Sequence, residues 1–291
     1  MSSWSLYLSR DVRNIISSYL DQNNNYYPVI DYKKYLIEYI ADANDIDNDI
    51  KYLKNIQVLD CRFNNNFTDE GLKQLINLQV LHCGYNNRYF TDVGLKHLIN
   101  LQKLDCGYNT NFTDEGLSYL TNLQQLYCCK YEQEYDNGNF TDTGLSYLTN
   151  LQVLHCGDNN DFTDKGLSYL TNLQQLYCEY NENFTDDGLK HLTNLQELNC
   201  GIYSNFTDTG LSYLTNLQVL HCGDNNDFTD EGLKYLINLQ ELQCSPYSNF
   251  TDEGIKYLTK LKKIYCKIGF NHNFKDDGLK HLTNLKIIRY Y

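Results

Sequence analysis

Leu101-Gln-Lys-Leu104-Asp-Cys106-Gly-Tyr-Asn109-Thr-Asn-Phe112-Thr113-Asp114-Glu-Gly116-Leu117-Ser-Tyr-Leu120 decides how this chain folds. The block stands in ten copies, beginning at Ile56, Leu78, Leu101, Leu123, Leu151, Leu173, Leu195, Leu217, Leu239 and Leu261. Most copies are 22 residues apart. A period of that length marks a solenoid, because one unit cannot bury its own apolar face and must stack on its neighbours.

Within each copy, Leu-x-x-Leu-x-Cys alternates as a short strand does, with Leu and Cys turned inward. Parallel strands stacked about 4.8 Å apart are expected. The Asn that follows (Asn64, Asn86, Asn109, Asn159, Asn181, Asn225) is read as turning inward to satisfy loop backbone groups. Tyr131, Tyr203, Tyr247 and Gly269 interrupt that series. Phe67, Phe90, Phe112 and their equivalents fill the bend. Thr-Asp-x-Gly-Leu-x-x-Leu opens a short helix, with Thr as N-cap and Asp suited to the helix dipole. Glycine in a helix costs propensity, so its return in every copy predicts close packing between neighbouring helices.

Ten of the eleven cysteines (Cys61, Cys83, Cys106, Cys128, Cys156, Cys178, Cys200, Cys222, Cys244, Cys266) share one inward position. Parallel side chains lack disulfide geometry, so they are read as reduced core residues, with Cys129 the one reactive thiol. The ten first-turn aspartates are read as helix caps, since no second carboxylate returns at a fixed spacing to hold calcium. Six Asn-Phe-Thr triplets, at Asn66, Asn111, Asn139, Asn183, Asn205 and Asn249, follow from the repeat rather than from glycosylation. No nucleophile, base and orienter recur at one level, so no catalytic, cofactor or metal residue is assigned and the chain is read as no enzyme.

Net charge is −13, which disfavours nucleic acid and anionic membrane as partners. The opening residues lack a long apolar core with a basic flank, and no run approaches the ~20 apolar residues of a membrane span. An intracellular, cytoplasmic location is the expectation.

The repeat resembles the cysteine-containing class of leucine-rich repeats, typical of F-box proteins. Cys here takes the third apolar strand position, ahead of Asn. The near-identical copies, rich in Asn and Tyr, resemble F-box and repeat proteins encoded by giant DNA viruses of amoebae, which would place the chain in a host cytoplasm. The resemblance implies an α/β leucine-rich-repeat solenoid, a horseshoe with parallel strands on the concave face and short helices on the convex face. Residues 51–291 form the repeats, ten plus a terminal strand. Residues 1–50 form a small helical N-terminal segment, in which Leu8, Val12, Ile15, Ile16, Tyr19 and Leu20 share one helical face. Their order is similar to an F-box helix, although Ser9 replaces its Pro and the later Trp is missing. An F-box would dock on a Skp-type adaptor of a cullin ubiquitin ligase. The other reading is a plain solenoid cap on a free-standing scaffold that binds a host or cellular protein.

A protein partner is expected on the concave face. The exposed position before Cys carries the candidate contacts His82, Asp105, Tyr127, His155, Tyr177, Asn199, His221 and Tyr265. A second exposed position, before the second Leu, runs from Val58 through Val153 and Glu197 to Lys263. His82, His155 and His221 lie three repeats apart, about 15 Å, too far to share a metal. One repeat is six residues longer, carrying the 129–139 insertion at the rim, which is read as drift.

Overall fold

The computed structural model describes residues 38–41, 43–50, 53–84, 89–107, 109–129, 140–157, 161–201, 204–223, 225, 227–245, 247–267, 282 and 285–290. Side chains at 266, 267 and 287–290 are outside that description. The chain divides into two units, Met1–Leu123 and Gln124–Tyr291.

In the first unit β1 (Glu38–Ile40), β2 (Val58–Asp60), β3 (Val80–His82) and β4 (Lys103–Asp105) pair in that order, all parallel. Each is followed by one helical turn: α1 (Asp47–Ile50), α2 (Asp69–Leu72), α3 (Asp92–Leu95) and α4 (Asp114–Ser118). The second unit repeats the plan. Its strands are β5 (Gln125–Tyr127), β6 (Val153–His155), β7 (Gln175–Tyr177), β8 (Glu197–Asn199), β9 (Val219–His221), β10 (Glu241–Gln243), β11 (Lys263–Lys267) and β12 (Lys286–Tyr290). They too pair in sequence order, parallel, with equivalent residues in register. Its helical turns are α5 (Asp142–Ser146), α6 (Asp164–Ser168), α7 (Asp186–Leu189), α8 (Asp208–Ser212), α9 (Asp230–Leu233) and α10 (Asp252–Ile255). Among the described residues no helix is long and apolar enough to cross a membrane.

The expected inward positions are buried. Leu59, Leu81, Leu154 and Leu176 are fully enclosed, as are Phe67, Phe112 and Phe184. The described ladder cysteines are buried and in no disulfide. They also do something the sequence reading did not anticipate. Cys61 Sγ donates to His82 O at 3.4 Å, and Cys222 Sγ to Gln243 O at 3.4 Å. Those carbonyls already accept the backbone N–H of the same cysteine, so the thiol adds a weak second donor there. Burial raises the thiols of Cys83, Cys156 and Cys178 well above the ordinary value of 9.0. The side chain of Cys266 lies outside the described residues.

The aspartates do more than meet a helix dipole. Asp47 Oδ1 accepts from Thr68 N at 2.9 Å, and its Oδ2 accepts from Thr68 Oγ1 at 2.6 Å. Thr68 Oγ1 in turn accepts from Glu70 N, the N-cap bond. Asp69, Asp92, Asp142, Asp164, Asp186, Asp208 and Asp230 hold the Thr of the next coil in the same way, with both carboxylate oxygens used. A Cβ on Gly71 would lie 2.5 Å from Asp47 Oδ1, so the repeated glycine makes room for the neighbour's carboxylate. This is the close helix packing that was expected, now with a partner atom.

The inward asparagines behave as read. Asn64 Oδ1 accepts from Asn66 N and Phe67 N, while its Nδ2 donates to Asp45 O at 2.9 Å. Asn109, Asn181 and Asn225 repeat the loop bonds; Asn86 and Asn159 lie outside the described residues. In the copies where Tyr203 and Tyr247 interrupt the series, the serine one place later is buried instead. Ser204 and Ser248 are buried, while Tyr247 is exposed. Ser204 Oγ accepts from Asn225 Nδ2 at 2.8 Å, so the ladder continues through a shorter side chain.

The array starts earlier than its repeats show. Glu38–Ile40 is a strand, not part of a helical segment reaching residue 50, and it pairs with β2 in the common register. Tyr39, Ala41 and Asp45 stand where later coils have Leu, Cys and Phe. Tyr39 Oη donates to the buried Asp45 carboxylate at 2.8 Å, which lets a charged group occupy the Phe position.

Candidate functional site

Strand alternation leaves two side chains per strand facing outward, one before and one after the central Leu. In the first unit this face is ionic. His82 Nδ1 lies 3.1 Å from Asp105 Oδ2. Arg62 grips Asp60 with two bonds, Nε to Oδ1 at 3.0 Å and Nη2 to Oδ2 at 2.7 Å. Burial would raise the Asp60 carboxyl, but Arg62 outweighs it and holds the group below its ordinary range.

In the second unit the face is aromatic. The register places Tyr127 beside His155 and His155 beside Tyr177. Their rings stack, with centroids 4.3 Å and 3.7 Å apart and interplanar angles of 23° and 15°. Tyr127 Oη reaches back to Gln125 Oε1 at 3.5 Å, and Tyr177 Oη donates to Glu197 Oε1 at 2.6 Å. The rings therefore lean over the row that contains Val153. That valine is 8% exposed, and its equivalents Val58, Val80 and Val219 are all more open. Burial and the Glu197 bond both push the Tyr177 phenol up. The result is a preformed, half-buried aromatic slab across β5, β6 and β7.

The stack stops at β8, where Asn199 occupies the ring position. Asn199 Nδ2 donates to Glu179 Oε1 at 2.5 Å. His221 follows on β9; its buried Nε2 lies 3.6 Å from Glu241 Oε1 without a hydrogen bond, and Glu241 pairs with Lys263 at 2.8 Å. Tyr265 is on β11, in register with Gln243. Of the eight candidate contacts, then, His82 and Asp105 meet in the first unit, and Tyr127, His155 and Tyr177 meet in the second. Leu8, Val12, Ile15, Ile16 and Leu20 lie outside the described residues. Two carboxylates were absent from the candidate contacts. Glu197 stood only as a variable strand position. Glu179 was missed, although strand alternation puts a residue two places beyond Tyr177 on the same face.

The leucine rich repeat family matches residues 147–171 and 213–236. No curated protein matches the chain. Among solved structures, an internalin, InlF, of Listeria monocytogenes is similar with a TM-score of 0.56 at 21% identity, over 97% of this chain and 95% of that one. The functional domain of InlJ from the same species, described as including a cysteine ladder, has a TM-score of 0.59 at 24% identity, over 87% and 58%. The complex of Rad7 and Elc1 in yeast gives 0.56 at 16% identity, over 88% and 81%. Likeness at these identities concerns the fold. The repeat, its coils and these similarities agree: the fold of this chain is a leucine-rich-repeat solenoid.

Proposed function

We propose that this chain recognises another protein through the exposed strand face of its second unit, as the substrate-recognition adaptor of a Skp/cullin-type ubiquitin ligase. The observation that carries the recognition half is the Tyr127–His155–Tyr177 stack. Aromatic side chains already packed against each other lose little conformational freedom on binding, which is what an interface anchor needs. The adaptor half rests on the order of Leu8, Val12, Ile15, Ile16 and Leu20. It gains support from the degenerate coil at residues 38–50, since atypical terminal repeats are how solenoids are capped. A capping coil downstream makes capping a less pressing task for the segment before it.

Two measurements test the reading. Purified full-length chain should bind a purified Skp-type adaptor, and Ile16→Asp should not, with the repeats still folded. Equal binding by both, or by neither, leaves a free-standing scaffold. In capture from eukaryotic extract, Tyr127→Ala and Tyr177→Ala should lose the protein that the parent retains, whereas Tyr169→Ala on the helix side should keep it. The reverse pattern puts the docking face on the wrong side.

A further inference from the structure

The aromatic ladder contains its own template for a guest. Tyr127 and Tyr177 are two strands apart, about 10 Å, and the flat imidazole of His155 fills the interval with a ring on each side. Tyr177 and His221 are also two strands apart, joined through Asn199 by the same register. There the intervening residue has no ring. The Asn199 amide is turned to Glu179, and His221 Nε2 on the far side lies 3.6 Å from Glu241 Oε1, beyond hydrogen-bond distance. The second face of Tyr177 is therefore left over Asn199 without an aromatic neighbour from β8.

Both ends of this interval are acidic. Glu197, at the near end, accepts the Tyr177 hydroxyl, and Glu179, at the far end, accepts the Asn199 amide. Those donors are neutral. Among the described residues neither carboxylate is in an ion pair, whereas Glu241 has Lys263 and Asp60 has Arg62. The interval thus joins one aromatic face to two uncompensated negative charges, on a chain whose net charge is −13.

Resting on the proposed recognition role of this face, we infer that the gap over Asn199 receives an arginine side chain of the partner protein. Its guanidinium stacks on Tyr177 as His155 does on the other side, and hydrogen-bonds Glu197 and Glu179. A guanidinium is flat, always charged and weakly hydrated, and it makes paired bonds to carboxylates. The ammonium of lysine can neither stack as a plane nor reach two carboxylates with a fixed fork. A neutral aromatic guest would leave both charges without compensation.

The test uses the full-length chain and two small probes, Nα-acetyl-arginine amide and Nα-acetyl-lysine amide, titrated by NMR. The arginine probe should shift signals of Tyr177, Asn199 and Glu197 and bind about tenfold tighter than the lysine probe. Asn199→His should fill the gap with a ring of the kind already present at 155. It should keep the fold, extend the stack and abolish arginine binding. Glu197→Gln should weaken the arginine probe about tenfold while leaving Tyr177 stacked on His155. Equal affinity for both probes, no binding, or arginine binding that survives Asn199→His would each overturn the inference. If the probes fail while partner capture still depends on Tyr127 and Tyr177, the arginine assignment alone falls. If that dependence is lost as well, the face itself is wrong.

Discussion

Asp164 holds Thr185 at two points, accepting from its backbone N–H at 2.8 Å and from its hydroxyl at 2.6 Å. The same Thr185 hydroxyl accepts from Asp187 N, so one side chain caps its own helix and ties it to the preceding coil. Gly188 leaves the space: a Cβ there would meet Asp164 Oδ1 at 2.5 Å.

Thr185→Val should therefore cost more than an isolated N-cap. Loss of the cap is worth about 1 kcal/mol, and the half-buried Asp164 also loses a donor. A total of about 2 kcal/mol is expected in urea denaturation. Gly188→Ala should destabilise by a similar amount through the clash. In a double-mutant cycle with Asp164→Ala the two costs should add only in part, because removing the carboxylate relieves the closer clash and leaves Leu167 Cδ1 at 2.8 Å. Additive costs would mean that Gly188 serves the helix backbone and not its neighbour's carboxylate.

The coils were legible in the sequence because their inward residues are apolar and identical from copy to copy. For Gly the close packing of neighbouring helices was legible but the atom that needs it was not, and the inter-coil role of Asp was not legible at all: Asp164 is explained by Thr185, and Gly188 by Asp164. The role of the Asn that precedes most new copies also lies between copies. Asn172 Nδ2 donates to Thr149 O at 3.0 Å and Asn194 Nδ2 to Thr171 O at 2.9 Å, so it is a second inter-coil ladder. The first coil escaped notice because Tyr39 and Asp45 compensate each other across it. At the site, the variable positions were visible one by one. That Tyr127, His155 and Tyr177 stack, and that Asn199 ends the stack, required the register.

The stack itself should be visible by NMR. His155 lies between two tyrosine rings, so its carbon-bound ring protons should resonate well upfield of an exposed histidine. Tyr127→Leu should relax part of that shift and cost about 1 kcal/mol, the usual contribution of an aromatic pair beyond burial. An unshifted His155 would mean the rings do not stack in solution.

Thiol chemistry offers a separate check. In the native state only Cys129, the one half-buried cysteine among those described, should react quickly with a thiol reagent. The ladder thiols should appear on unfolding. Rapid native reaction of Cys156 or Cys178 would contradict their enclosure.

Stability should also fall at alkaline pH for a reason that can be assigned. Burial raises the Cys200 thiol from 9.0 to about 12 in the folded chain. Below pH 9 both states keep the proton and the thiol has no effect on the balance. Above it the unfolded chain releases its proton first, so stability declines as pH rises toward 12, by up to about 1.4 kcal/mol per pH unit per thiol. Cys200→Ala should flatten this decline by one proton's worth between pH 9 and 11, measured by urea unfolding at fixed pH. An unchanged slope would mean that Cys200 does not titrate differently in the two states.

The first coil can be rewritten as a later one. Tyr39 and Asp45 stand at positions that other coils fill with Leu and Phe, and they bond each other at 2.8 Å. Asp45→Phe alone removes the acceptor of the Tyr39 hydroxyl, and Tyr39→Leu alone removes a donor from a buried carboxylate. Each should destabilise by about 1–3 kcal/mol. The double variant replaces both polar partners by the apolar pair used everywhere else, and replacing both halves of a buried polar pair can be neutral or stabilising. It should recover all of the loss, and a coupling of more than about 1 kcal/mol is expected in thermal or urea unfolding. The Asn64 bond to the Asp45 carbonyl is a backbone contact and survives either change. If the double variant is as unstable as the sum of the singles, the polar pair does more than fill the core position of that coil.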